Sequence, residues 1–305
     1  MPDLGPPPQR LVVDTRTVRQ LVSEQFPQWS RLTIEPVSTP GWDNYTFHLG
    51  GDMVVRLPSA SEYALAVEKE HRWLPTLAPQ LPVPIPSVRG RGEPGAGYPF
   101  PWSVYDWLGG SPATQTDITG PLQFAEQLAD FVVSLRSIDA AGGPQPGIHN
   151  WFRGATLLTY AETTRRALDT LSAHIDVEPA SQIWADALAA DWNGDDVWFH
   201  GDLAEGNLLL EDGHLTAVID FGTCGVGDPS CDLAIAWTLL VEPGRQAFRD
   251  RLQVDDASWA RGRGWALWKT LAGLASSITE DDDQETARLM RVHGELVADY
   301  AEAQS

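Results

Sequence analysis

The stretch 200–222, HGDLAEGNLLLEDGHLTAVIDFG, constrains the chain more than any other. Two short apolar runs, 208–210 and 215–219, flank Asp212-Gly213, a pattern that predicts a β-hairpin. A hairpin brings its ends together. Asn207 enters the first strand and Asp220 leaves the second, so an amide oxygen and a carboxylate oxygen can converge on one ion, with Asp202 on the loop just before. Two oxygen ligands that leave several coordination positions open suit Mg2+ shared with phosphates better than a closed protein cage. Asp202 is then the spare carboxylate, placed to receive a hydroxyl proton.

At about one in twenty per residue type, His, Asp, Asn, Asp, Phe and Gly at these spacings arise by accident in well under one chain in ten thousand. The gap from Asp202 to Asn207, followed by Asp-Phe-Gly, is the order of protein-kinase catalytic and metal-binding segments. The differences are as informative. His200 is followed by Gly201 rather than Arg, and the chain beyond Gly222 reads TCGVGDPSCDLA, with no Ala-Pro-Glu and no room for a long activation loop. In His200-Gly201-Asp202, Asn207, Ile219-Asp220-Phe221-Gly222 and Gly227-Asp228-Pro229 with Asp232, the chain resembles the aminoglycoside phosphotransferase family, over residues 30–300. The resemblance implies an α+β, two-lobed, protein-kinase-like fold. Residues 1–104 would form a small antiparallel-sheet lobe that binds nucleotide, and residues 105–305 a mainly helical lobe. It also implies ATP or GTP as donor, Mg2+ on Asn207 and Asp220, Asp202 as catalytic base, and His200, Asp228 and Asp232 as organisers of the loops.

Composition bounds the rest. The formal charge of −21 argues against a nucleic-acid partner, because phosphate binding needs a basic face. The same charge draws in a cationic small molecule. The start MPDLGPPPQR has no apolar core of a signal peptide, and no run is long enough to span a bilayer, which points to a cytoplasmic protein. Cys224 and Cys231 have neither metal-ligand nor disulfide-framework spacing, and Cys224 lies near enough to the site to be modifiable.

The Pro-rich residues 1–10 predict disorder. From Asp14 a capped helix runs to Pro27. Strands follow at 31–37, 45–49 and 53–57, with Gly50-Gly51 as a turn. The loop 38–44, with Gly41 and Asn44, can lie over nucleotide phosphates. In the kinase-like small lobe the third strand carries a phosphate-holding lysine. Here Lys69 and Lys269 are the only lysines, neither on that strand, and Arg56 takes the place; arginine stays charged and grips phosphate bidentately. A helix from Ser61 should pair a carboxylate with Arg56. Glu70 is the choice, with Glu68 as the alternative.

The prolines of 81–87 require an extended segment. An aromatic strand at 98–108 links the lobes, where backbone groups near Tyr105, Asp106 and Trp107 would meet adenine or guanine. Helical periodicity then appears from Pro121 through Leu135, at 154–173 and at 179–190, with a short strand at 197–199. Helices also follow at 233–240, 257–278 and 284–301, and Asp281-Asp282-Asp283 reads as a solvated helix start. Trp265 and Trp268 stand at core spacing or line an acceptor pocket; both readings stay open. The acceptor is a small-molecule hydroxyl, aminoglycoside-like or of another natural product. Macrolide, choline and homoserine kinases share the framework, and a non-catalytic nucleotide binder is the rival outside enzymology. Oligomeric state is not encoded in any of these patterns.

Overall fold

The computed structural model describes residues 8–38 and 41–304. Residues 1–7 of the Pro-rich start, and Thr39 and Pro40 of the 38–44 loop, lie outside the described residues. Asp14 caps helix α1 (Thr15–Gln25), its carboxylate accepting from the Thr17 amide at 2.8 Å and so satisfying one of the helix's orphan donors. Val18, Leu21 and Val22 form the buried face of that helix.

Strands β1 (Ile34–Pro36), β2 (Asn44–Leu49) and β3 (Met53–Pro58) come next, then helix α2 (Ser61–Leu77), then β4 (Val88–Gly92) and β5 (Trp102–Asp106). They make a five-stranded antiparallel sheet in the order β1-β2-β3-β5-β4. The strand expected at 31–37 is shorter because residues 31 and 32 still turn before Ile34 pairs with Leu49. β4 had no signal: Val-Arg-Gly-Arg-Gly lacks apolar alternation, which an edge strand can dispense with.

Alternation along β3 and β5 sorts the two faces of the sheet. Val55, Leu57, Trp102 and Val104 pack with α1 in a small core. Val54 and Tyr105 face the other way and join the large core with Leu74 and Leu77 of α2. Arg56, between Val55 and Leu57, falls on that second face, beside Tyr105.

The rest is mostly helical. β6 (Ser111–Pro112), α3 (Pro121–Ser137), α4 (Ala161–Leu171), α5 (Val177–Ala189) and β7 (Val197–Phe199) lead to the hairpin β8 (Leu208–Glu211) and β9 (His214–Val218). After it come β10 (Gly225–Gly227), α6 (Ile235–Thr238), α7 (Gly244–Leu252), α8 (Asp256–Thr279) and α9 (Asp283–Ala303). The hairpin turns at Asp212 and Gly213, both at positive φ as a tight two-residue turn requires.

The helix expected over 154–173 starts late: Trp151, Phe152 and Gly154 all take positive φ, and a 3-10 turn at Leu157–Tyr160 precedes α4. The helix expected at 233–240 is largely a 3-10 turn, Pro229–Ala234, before the four residues of α6. β6, β10 and α7 were unsignalled; α7 buries one large apolar side chain, Phe248, too little periodicity to read. Helix α8 runs through the large core on Trp259, Trp265, Leu267, Leu271 and Leu274, each fully buried apolar side chain of this size contributing about 1.5–3 kcal/mol. Of the acidic run, Asp282 caps α9 by accepting from the Glu285 amide at 3.0 Å. Among the described residues, no helix is long and apolar enough to cross a membrane.

Candidate active site

Buried β7 delivers His200 from the core, and the loop after it is held by its backbone. The buried Asp232 carboxylate accepts the amides of His200 at 2.8 Å and Gly201 at 2.7 Å. Burial pushes this carboxyl up, while the His200 and Gly201 amides and Arg136 oppose the rise. The His200 ring spans two segments: Nδ1 lies 3.2 Å from the Asp202 amide and Nε2 3.0 Å from the Ile219 carbonyl. An accepting Nδ1 leaves Nε2–H to donate, so the neutral ring ties the Asp202 loop to the end of β9. Gly201 explains the departure from the kinase Arg. Its φ is +84°, and a Cβ there would lie 2.6 Å from the Thr223 carbonyl oxygen. Asp228 caps the 3-10 turn through Ser230 and forms a buried ion pair with Arg261 of α8 at 2.8 Å.

Asp202 emerges half-exposed at the end of this loop. Asn207 Nδ2 donates to its backbone oxygen at 2.9 Å and its Oδ2 at 3.3 Å, leaving the Asn207 side-chain oxygen as that amide's acceptor. The Ile219 amide donates to the Asn207 carbonyl at 2.9 Å, so the two hairpin ends are neighbours. Sequence reasoning missed the partner of Asp202. Lys269, two turns along α8 from Arg261, places Nζ 2.5 Å from Asp202 Oδ1. Desolvation pushes the Asp202 carboxyl up, but Lys269, and Arg153 after it, override the rise and hold the group at about 2. No local signal marks Lys269, because the pair joins residues 67 apart.

On the sheet side, Arg56 Nη2 donates to Asp220 Oδ1 at 2.8 Å, and Nη1 lies 3.6 Å from Glu70 Oε1. Glu70 Oε2 accepts from the Tyr105 hydroxyl at 2.6 Å. Burial would lower the Arg56 pKa, but Asp220 and Glu70 raise it above its ordinary value, so the guanidinium stays charged. Burial pushes Glu70 up, with Arg56 and Tyr105 opposing. Glu68 faces away, 3.4 Å from Arg91. Asp220 itself adopts φ 66°, a left-handed conformation that Asp tolerates better than most residues.

Two further groups had no sequence signal. Asp43 is pushed up to about 7, first by burial and then by the nearby charges of Asp220 and Asp202. Lys69, read only as being off the third strand, is buried and donates to the carbonyls of Gly222 at 2.7 Å and Cys224 at 2.9 Å, so α2 grips the loop that follows Asp220.

A cleft of about 460 Å³ runs between sheet and hairpin. Gly41, Asn44, Arg56, Tyr105, Trp107, Asn207 and Asp220 all line it, so seven of the residues expected to face a nucleotide or metal share one space. Glu70 sits behind Arg56, and Asp202 adjoins the cleft through Asn207. The base-reading expectation at 105–107 needs correction for the amides. Tyr105 is paired on both sides in the sheet, the Asp106 amide donates to Ser87 and the Trp107 amide to Asp52, so those N–H groups are spent inside the protein. Trp107 instead offers a half-exposed ring, its centroid 4.3 Å from that of His48 and the two rings tilted by 52°. Cys224 is also corrected. It is buried, and burial pushes its thiol up to about 11, so it is a poor nucleophile. Trp265 is core; Trp268 is partly buried beneath the Arg153 guanidinium.

The donor set fits Mg2+. Asn207 and Asp220 offer hard oxygens from neighbouring strand ends and line the same cleft. Among the described residues no group of three or more His, Cys, Asp or Glu is arranged to hold a metal ion.

Known proteins share this fold. The family described as a phosphotransferase enzyme family matches residues 33–265. An aminoglycoside 3'-phosphotransferase of Escherichia coli is 37% identical over 65 residues, 21% of this chain and 24% of the relative, and one of Salmonella typhimurium matches equally. The chain thus spans about a quarter of the length of the curated relatives it matches. A GDP complex of an aminoglycoside 2'-phosphotransferase IIIa mutant superposes with a TM-score of 0.72 at 19% identity, over 96% of this chain and 100% of that one. The macrolide 2'-phosphotransferase of Brachybacterium faecium gives 0.56 at 23% identity, over 91% and 97%. At these identities the structures establish the two-lobed kinase-like fold.

Proposed function

The chain belongs to the phosphotransferase enzyme family, and from that premise we propose that it moves the terminal phosphoryl group of a nucleoside triphosphate to a hydroxyl of a small molecule of natural-product type. One observation supports the reading: Asn207 touches Asp202 and lines the same cleft as Asp220, so a proton acceptor and two metal-type side chains border one space.

The cleft takes the nucleotide, ATP or GTP, its base between apolar walls that include Val54, Leu209 and Ile219. The division lies between a nucleotide unit, 1–104, and an acceptor unit, 105–305, with β5 as the connector. Arg56, with Glu70 fixing it, presents positive charge to the phosphates under the 41–44 segment. Asn207 and Asp220 would hold Mg2+, which when bound neutralises phosphate charge. Asp202 accepts a hydrogen bond from the acceptor hydroxyl and takes its proton as the phosphoryl group crosses in line. A carboxyl held near 2 is a weak base, which suits a loose transition state in which the hydroxyl becomes acidic late. Asp202 therefore acts first by orienting the hydroxyl, and catalysis is mostly positioning and charge neutralisation. His200, Asp228 and Asp232 organise the loops and take no proton. The buried thiols Cys224 and Cys231 support a reducing, cytoplasmic setting.

The test is mass spectrometry of a hydroxyl-compound library after incubation with Mg-ATP or Mg-GTP. A phosphate mass gained by one compound class, and lost on chelation, is the expected result. Nucleotide turnover that no acceptor stimulates would refute the reading.

A further inference from the structure

Two cations stand beside Asp202 in a chain that is acidic overall. Lys269 sits on Asp202 Oδ1 and remains about a quarter exposed, so a hydroxyl that reaches Asp202 comes close to its ammonium. Behind it lies Arg153, almost fully buried, with Nε on the Gly201 carbonyl at 3.1 Å and its guanidinium 4.7 Å from the Trp268 ring. Its charge acts on the carboxyls of Asp202 and Asp43. Glu205, on the same loop as Asp202, is occupied by Arg288 at 3.4 Å. Although the protein carries −21, two cations, Lys269 and Arg153, act directly on Asp202.

A hydroxyl in hydrogen-bond reach of Asp202 places the groups on its neighbouring carbons within a few ångströms of the Lys269 ammonium. Unit charges at that separation interact strongly in a partly desolvated cleft, whereas the protein's total charge is screened within about 10 Å. A neutral hydroxyl or a carboxylate in that place gains Lys269 as a donor; an ammonium meets a like charge and finds Asp202 already paired. Such a repulsive element discriminates as effectively as an attractive one.

We infer that Lys269 is a specificity-determining residue of the acceptor site, and that the molecule phosphorylated here carries neutral or anionic groups, not an ammonium, beside the hydroxyl that meets Asp202. This rests on the phosphotransferase reading above and narrows it away from polyammonium sugars.

The test uses the full chain loaded with Mg-ADP and titrated calorimetrically with kanamycin, an amino sugar whose hydroxyls lie beside ammonium groups. Wild type, Lys269→Met and Lys269→Glu are compared, with folding checked by circular dichroism. Kanamycin should bind Lys269→Met at least about tenfold more tightly than wild type, and Lys269→Glu more tightly again, with the gain shrinking as salt is raised. That order follows charge sign, which a purely structural role would not produce. Wild-type binding as tight as either variant's, or no gain in either variant, overturns the inference. Failure of the nucleotide-binding reading would appear separately, as no Mg-ADP binding by wild type before any kanamycin is added.

Discussion

Asp202, on the loop before the hairpin, and Asp220, at its far end, are about equally exposed, 38% and 36%, yet they are held in opposite ways. The cation on Asp220 is Arg56, itself fixed by Glu70, which is fixed by Tyr105, while Lys69 clamps the backbone just beyond. The cation on Asp202 is Lys269, which among the described residues pairs with Asp202 alone. The Asp220 side is arranged in advance by burial. The Asp202 side keeps its backbone rigid through Asp232 and leaves its carboxylate free to exchange partners. This suits a site in which one aspartate must wait for an ion and the other must greet a changing molecule.

That contrast can be broken in order of effect. Asp202→Ala should lower turnover by about 10² to 10⁴ while leaving nucleotide affinity nearly intact, as steady-state kinetics beside calorimetry would show; turnover preserved within a fewfold would remove Asp202 as the base. Glu70→Ala should destabilise the fold by about 3 kcal/mol in urea unfolding and weaken nucleotide binding, because Arg56 and the Tyr105 hydroxyl both lose a buried partner. If stability held, the prearranged half of the comparison would be wrong. Lys69→Met should cost roughly 1–3 kcal/mol and speed hydrogen exchange at 221–225, by leaving the Gly222 and Cys224 carbonyls without their donor.

Asp43 sharpens the comparison through pH. Its folded pKa is raised to about 7, so the folded state holds a proton the unfolded chain has released; the stability this group supplies is whole below about 4 and lost as pH rises through 7. Asp43→Asn should therefore match wild type at pH 4 and exceed it by up to about 3 kcal/mol at pH 8 in denaturant midpoints. The smallest effect belongs to the exchangeable pair. Asp202 is lowered, so its contribution is present above its ordinary value and fades as pH falls towards 2. Lys269→Met should change stability by less than about 1 kcal/mol, yet move the acid limb of turnover upward. A large loss of stability would show that this pair is structural after all.

The hairpin, α1 with its Asp14 cap, α2 and the long α8 and α9 were legible because their signals are local: a turn pair, a capping residue, an apolar stripe. β4, β6 and β10 were not, since short edge strands owe their conformation to the strand they meet rather than to their own alternation. The late start of α4 has the same origin, a positive-φ corner at Trp151 and Phe152 that no residue type there announces. At the site, the series from His200 to Asp232 was readable as letters in order. The partners were not, for Lys269, Arg153, Asp43 and Lys69 come from distant segments.

By itself the sequence settled which oxygens stand at the ends of one hairpin, because chain connectivity places Asp202, Asn207 and Asp220 within a few residues of a single turn. Only the tertiary structure decided the charge each of them faces. Coulomb interactions depend on distance through space, and the fold alone brings a lysine from 67 residues away to within 2.5 Å of Asp202.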